Sequence, residues 1–168
     1  MRGAATLAAM TDLAIRSAAE ADLPAIGRLG AALVAEHHQF DPLRFLAPPP
    51  DIAERYGQFI GSRLGQADAI VLVAERSGQV VGYTFATLEG FDFMALRGPA
   101  GVIQDIIVDE RARRQGIARA LLEALFAELA AHGAPRIVLS TAQKNLGAQT
   151  LFESEGFRRT MIEMTREL

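Results

Sequence analysis

The chain has no cysteine among its 168 residues and only two tyrosines, Tyr56 and Tyr83. Without cysteine there can be no disulfide, no thiolate metal site and no cysteine nucleophile. The same absence fits a reducing, cytoplasmic compartment, because small secreted domains usually rely on disulfides. Positive charge is scarce as well: 17 Lys and Arg against 20 Asp and Glu leave a net charge of −3. No polybasic stripe is present, which argues against a nucleic-acid partner, since such binding needs many phosphate contacts. No apolar run approaches the ~18 residues that mark a membrane span. The start, Met1 to Met10, is Ala-rich with a single Arg2. It is too short and too weakly apolar for a signal peptide. It reads as a disordered leader over residues 1–11, with Met10 as an alternative start.

What remains is ordinary globular material, 50% apolar and 22% charged, enough for one domain from 12 to 168. Leu13 to Ser17 reads as a first strand. Asp22 offers a helix N-cap and Pro24 suits the first turn, with Ile26, Leu29, Leu33 and Val34 at helical spacing. Gly27 and Gly30 inside that helix each cost about 1 kcal/mol against Ala, so its middle is weak or closely packed. His37 to Pro50, with four prolines, reads as a loop, and Asp51 caps a second helix to about Leu64. Ala69 to Arg76 and Val80 to Leu88 are strands about a Ser77-Gly78-Gln79 turn. A loop or frayed hairpin follows from Glu89 to Ala100. Gly101 to Asp109 is the strongest strand. A helix then runs from about Gln115 to Ala131, and Gly133 and Pro135 stop it. Arg136 to Thr141 is a strand, Asn145 to Gly156 a last helix, and Phe157 to Thr165 a last strand. Strands alternating with helices imply an α/β domain with a mixed sheet.

The segment Val108-Asp109-Glu110-Arg111-Ala112-Arg113-Arg114-Gln115-Gly116-Ile117-Ala118-Arg119 lies between a hydrophobic strand and a helix start. Free amides there, backed by the helix dipole, form an anion site. Gly116 and Ala118 are small enough for a pyrophosphate to approach the backbone. Arg111, Arg113 and Arg114 crowd the positive end of the dipole, a liability that an anionic ligand would reverse; the alternative is a solvated basic loop. Neither a P-loop nor a dinucleotide fingerprint is present.

Arg113-x-x-Gly116-x-Ala118, with Val108 eight residues before the glycine, resembles the signature of the GNAT acetyltransferases. A second block, Asn145-Leu146-Gly147-Ala148 through Leu151-Phe152 to Gly156-Phe157, resembles the family's other motif. The resemblance implies a single GNAT domain, a mixed and mostly antiparallel sheet with helices on both faces, using acetyl-CoA to acetylate a primary amine. It further implies that the backbone of Ile106, Ile107 and Val108 pairs with the pantetheine arm. The amides of Arg113, Arg114, Gln115, Gly116, Ile117, Ala118 and Arg119 would hold the pyrophosphate. Asn145 would contact the cofactor, and Phe152 would lie near its sulfur.

An alkylammonium with pKa near ~10 must lose a proton before it attacks. Asp105, on the strand expected to face the thioester, is the leading base; Glu89, Asp92, His37 and His38 are alternatives. The two histidines, like His132, fit helix C-terminal caps. Gln104 and Ser140 cannot serve as bases. Many relatives carry a tyrosine where this chain has Phe152, so the acid that would protonate the thiolate is missing. Three readings follow: a small-molecule acetyltransferase, a protein N-terminal or lysine acetyltransferase, or an acyl-CoA sensor without turnover. A loop closed by Phe40, Phe45, Phe91 and Phe93 would favour a small acceptor. Glu89, Asp92 and Asp41 hint at a cationic one. The β-rich tail, Met161 to Thr165, could pair across a homodimer.

Overall fold

The computed structural model describes residues 12–168, so the leader reading of residues 1–11 lies outside the described residues. Five strands form one sheet in the order β1 (Leu13–Ser17), β2 (Ala69–Arg76), β3 (Gln79–Glu89), β4 (Ala100–Val108) and β5 (Ile137–Leu139). All neighbours are antiparallel except β4 and β5, which run parallel. Ser77 and Gly78 join β2 to β3 with φ of 49° and 73°, the two positive values that a tight hairpin turn needs to match strand twist.

The sheet is buried on both faces, which explains why β2 reads as an unbroken apolar run rather than an alternation. Ile70, Leu72 and Ala86 pack against Leu121 and Leu125 of helix α3 (Ile117–Ala131) and Phe152 of α4 (Leu146–Ser154). Val71, Val73, Tyr83 and Phe85 face the other way, onto Ile26 and Leu29 of α1 (Leu23–Phe40) and Ile60 of α2 (Ile52–Arg63). The sheet therefore carries helices on both faces. Among the described residues, no helix is long and apolar enough to cross a membrane.

Gly27 and Gly30 are explained by the α1–α2 contact. A Cβ on Gly27 would lie 2.2 Å from the Ala53 carbonyl oxygen, and one on Gly30 would lie 2.2 Å from the Tyr56 ring. The propensity penalty is thus offset by close helix packing, and Gly30 leaves the space that Tyr56 occupies.

Several local expectations are corrected. Helix α1 continues through His37 and His38 to Phe40. Its stop is Asp41, held extended (φ −154°, ψ 96°) before Pro42, where a residue is sterically kept from helical geometry. Asp22 does not cap α1; its carboxylate accepts from Arg16 at 2.7 and 2.9 Å and from the Ala19 amide at 2.8 Å. Asp51 likewise turns to Arg55 one helical turn on, at 2.7 Å. Strand β5 keeps only Ile137–Leu139 of the expected six residues. Residues 157–168 form no strand, because no strand among the described residues pairs with them. An ion pair between Glu163 and Arg44 ties the tail to the loop after α1, and Met161, Ile162 and Met164 stay exposed.

Candidate active site

Strand β4 carries the floor of the site, and a bulge decides which side chain it presents. Phe85 pairs with Asp105 but Ala86 pairs with Ile103, leaving Gln104 as the extra residue. An extra residue reverses the inward–outward parity of a strand. Ile103 packs on the α3 side, and so do Ile106 and Val108; Ile107 faces α1 and α2. Asp105 consequently lands on the α1–α2 face, in a cleft of about 440 Å³ lined by Tyr56, Phe59, Arg63, Phe85, Thr87 and Gln104.

The two tyrosines of the chain converge on this carboxylate. Tyr56 donates its hydroxyl to Asp105 Oδ2 at 2.6 Å and Tyr83 donates to the same oxygen at 3.0 Å. Buried Thr84 fixes the bulged backbone by donating to the Asp105 carbonyl at 2.8 Å. Burial pushes the Asp105 carboxyl above the usual carboxylate range, while the two hydroxyls and His37 restrain the rise. Burial, reinforced by the neighbouring carboxylate, also raises both tyrosines above their ordinary value, so they remain protonated donors. Oδ1 accepts no hydrogen bond among the described residues and is available to a ligand.

Below the bulge β4 loses its neighbour on one side. β5 pairs only with Gly101, Val102 and Ile103. Asp109 N–H donates to Val81 on β3 at 2.8 Å. In the alternation of an antiparallel ladder, Ile107 therefore turns its polar groups to β3, whereas Ile106 and Val108 turn theirs to the open edge. Arg113 Nε occupies the Val108 carbonyl at 3.1 Å. An extended polar chain would find its backbone partners at Ile106 and Val108 rather than at Ile107.

The open edge leads to the loop before α3. Arg114 and Gly116 both adopt left-handed backbone, with φ of 61° and 80°. Such reversals turn successive amides toward a common point, the concavity that binds anions. The N–H groups from Arg114 to Arg119 donate to no acceptor among the described residues. A Cβ built on Gly116 would meet nothing within 4 Å, so the space in front of the loop is open.

The arginines divide by role. The Arg113 guanidinium grips Glu36 of α1 with two bonds of 3.1 Å, and Arg119 holds Glu155 at 2.7 Å. Arg114 is exposed and has no side-chain partner among the described residues. Arg114→Ala should therefore weaken CoA binding by about 1.5–3 kcal/mol and flatten its salt dependence, measured by titration calorimetry. Arg113→Ala should act chiefly on thermal stability, by loosening α1 from β4.

Asn145 caps its own helix, since its Oδ1 accepts from the Ala148 amide at 3.1 Å; its amide nitrogen has no partner among the described residues. Phe152 is buried in the core, edge-on to Phe157 at 5.8 Å. The acidic residues expected near the mouth are bound internally. Glu89 holds Arg97 at 2.5 Å, Asp92 accepts from the Met94 and Ala95 amides, and Asp41 from those of Leu43 and Arg44. His37, His38 and His132 each direct Nδ1 at a backbone carbonyl within 2.9 Å. Phe40 and Phe45 pack on His37, whereas Phe91 and Phe93 stand exposed and close nothing. Sequence reasoning missed Tyr56, Tyr83, Phe59 and Arg63; the rarity of tyrosine was the available clue for the first two.

Comparison with known proteins finds relatives both in sequence and in fold. The chain is 34% identical over 96 residues to mycothiol acetyltransferase of Thermobispora bispora, covering 55% of this chain and 31% of that protein. It is 30% identical over 136 residues to N-acetyltransferase 8 of Homo sapiens, covering 77% of this chain and 59% of the human protein. The chain thus spans about a third to three fifths of the length of these curated relatives. A predicted acetyltransferase of Clostridium acetobutylicum, solved with acetyl-CoA, superposes with a TM-score of 0.70 at 18% identity, over 91% of this chain and 96% of the other. The model of the acetyltransferase (GNAT) family matches residues 32–157, and with the split strands and the amide-lined loop in place, the chain belongs to the GNAT acetyltransferase family.

Proposed function

We propose that the chain transfers an acetyl group from acetyl-CoA to a small primary amine by direct attack, with Asp105 as the base. The observation that carries this reading is Asp105 itself, a half-buried carboxylate held by two tyrosine hydroxyls on one oxygen and open to a cleft on the other. Burial makes it a stronger base than an exposed carboxylate, and a base works best when its pKa approaches the working pH. Tyr56 and Tyr83 act as positioning residues: they fix the carboxylate rotamer and donate to its charged form. Oδ1 would take the proton of the incoming ammonium, leaving a neutral amine to attack.

The chain's fit to the donor is equally local. The Arg114–Arg119 amides would hold the pyrophosphate, and Ile106 and Val108 would pair with the pantetheine arm at the open edge of β4. Acetyl-CoA supplies an activated acyl group whose thiol, with a pKa near ~8.5, can leave as thiolate without a dedicated acid. Buried Phe152 then serves as an apolar wall, and the missing hydroxyl there is no obstacle. The chain has no cysteine, and the Thr87 hydroxyl in the cleft donates to a Glu89 carboxylate already held by Arg97, so a covalent acyl-enzyme lacks an activated nucleophile. Initial-rate plots against acetyl-CoA at several amine concentrations should intersect. Parallel lines would show ping-pong transfer and overturn direct attack.

A further inference from the structure

We infer that the acceptor is an amine carrying an anionic group at its far end, separated from the amine by an apolar stretch. This rests on the proposed acetyl transfer and names the substrate class of the same cleft. Two charged side chains line the cleft among the described residues, Asp105 and Arg63. Tyr56, Phe59 and Arg63 stand at i, i+3 and i+7 on α2, hence along one face of the helix. Seven residues of helix rise place Arg63 about 10 Å along the axis from Tyr56, whose hydroxyl touches Asp105. A carboxylate at one end thus faces a guanidinium at the other.

The wall between them is aromatic. Tyr56 meets Phe59 edge-on at 6.4 Å, and Phe59 meets Phe85 at 6.0 Å. Phe59 is 52% exposed, an unusual state for a phenylalanine on a packed helix, and part of its surface lines the cleft. An aliphatic or aromatic spacer would cover it. Arg63 uses one terminal nitrogen on Asp68 at 2.9 Å. The remaining edge of its guanidinium has no acceptor among the described residues, and a planar guanidinium suits a carboxylate or phosphate.

On the strand side Thr87 and Gln104 line the cleft, and the Glu89 carboxylate they contact is not part of its lining. Glu89 is engaged by Arg97 at 2.5 Å and by Gln104 at 3.2 Å, and Thr87 donates to the same carboxylate at 2.8 Å. A polycationic acceptor would set its second charge against Arg63. An acceptor with a terminal carboxylate would pair with it instead.

The test uses three six-carbon amines that differ only at the far end: 6-aminohexanoate, hexylamine and 1,6-diaminohexane. Ratios of kcat/KM are compared within each variant, so that any general loss cancels. Wild type should favour 6-aminohexanoate over 1,6-diaminohexane by about 10–100-fold. Arg63→Gln should shrink that ratio toward one, and Arg63→Glu should invert it. A wild type that prefers the diamine, or a ratio unmoved by either substitution, overturns the inference while leaving acetyl transfer standing. If no amine turns over, the acetyltransferase reading fails first. Calorimetric affinities of the same amines for the wild-type protein with CoA then decide the inference: the same order supports it, and equal affinities or the reverse order overturn it. Should Arg63→Glu fail to fold, the wild-type ratio and its response to Arg63→Gln decide between the same two outcomes.

Discussion

Asp105→Asn should lower kcat by about 10²–10⁴-fold while CoA affinity stays as in wild type, because a base is removed and the anion loop is untouched. Asparagine still accepts from Tyr56 and Tyr83, so the cleft keeps its shape. The pH profile gives a second reading. In wild type, kcat/KM should fall on the acid side through the Asp105 pKa, which burial places above the ordinary carboxylate range. The residual activity of Asp105→Asn should lack that limb. A drop of less than about threefold would give the proton to water or buffer.

The same shift links to stability, and its sign is fixed. Folding raises the Asp105 pKa, so the folded state binds this proton more tightly than the unfolded chain does. The stability this group contributes is full below the unfolded carboxylate pKa and is lost as pH rises through the folded value. Asp105→Asn carries no charge at any pH. Its melting temperature should therefore gain on wild type as pH rises from acid to neutral, while its activity collapses. Buried catalytic groups commonly show this opposition of stability and function.

Gly116→Val should weaken CoA binding by roughly 100-fold or more. At φ 80° the backbone is one that β-branched residues rarely adopt. The added side chain would also occupy open space beside the Arg114–Arg119 amides. Since nothing in the protein lies within 4 Å of that Cβ, the substitution displaces no protein atom there, and the proposed pyrophosphate site would bear its effect. Circular dichroism should show a folded protein, and calorimetry should show the lost affinity. Unchanged affinity in a folded variant would remove the pyrophosphate site from this loop.

The helices and most strands were legible as segments of the chain because their signals are local. Asn145 caps α4 through an amide three residues on, and Gly116 carries its positive φ wherever the rest of the chain lies. The cleft around Asp105 was illegible because it is assembled from distant segments. Tyr56 and Asp105 are 49 residues apart and Tyr83 is 22 from Asp105. The bulge at Gln104 depends on the pairing of β4 with β3, and it moves Asp105 to the other face of the sheet. Arg113 reads in sequence as a phosphate ligand, and its pairing with Glu36, 77 residues upstream, is visible only in the fold. The tail from Phe157 has strand-like composition, but composition forms a strand only where a partner edge exists.

The most direct test of acetyl transfer is thiol release. The protein has no cysteine, so a thiol reagent reports CoA alone, free of any signal from the chain. Mixed with acetyl-CoA and a primary amine, the wild-type protein should release thiol at a rate that depends on the amine. Mass spectrometry should find one acetylated amine for each thiol released. Tight binding of CoA with no amine-dependent release from any acceptor would contradict acetyl transfer and make the protein an acyl-CoA sensor.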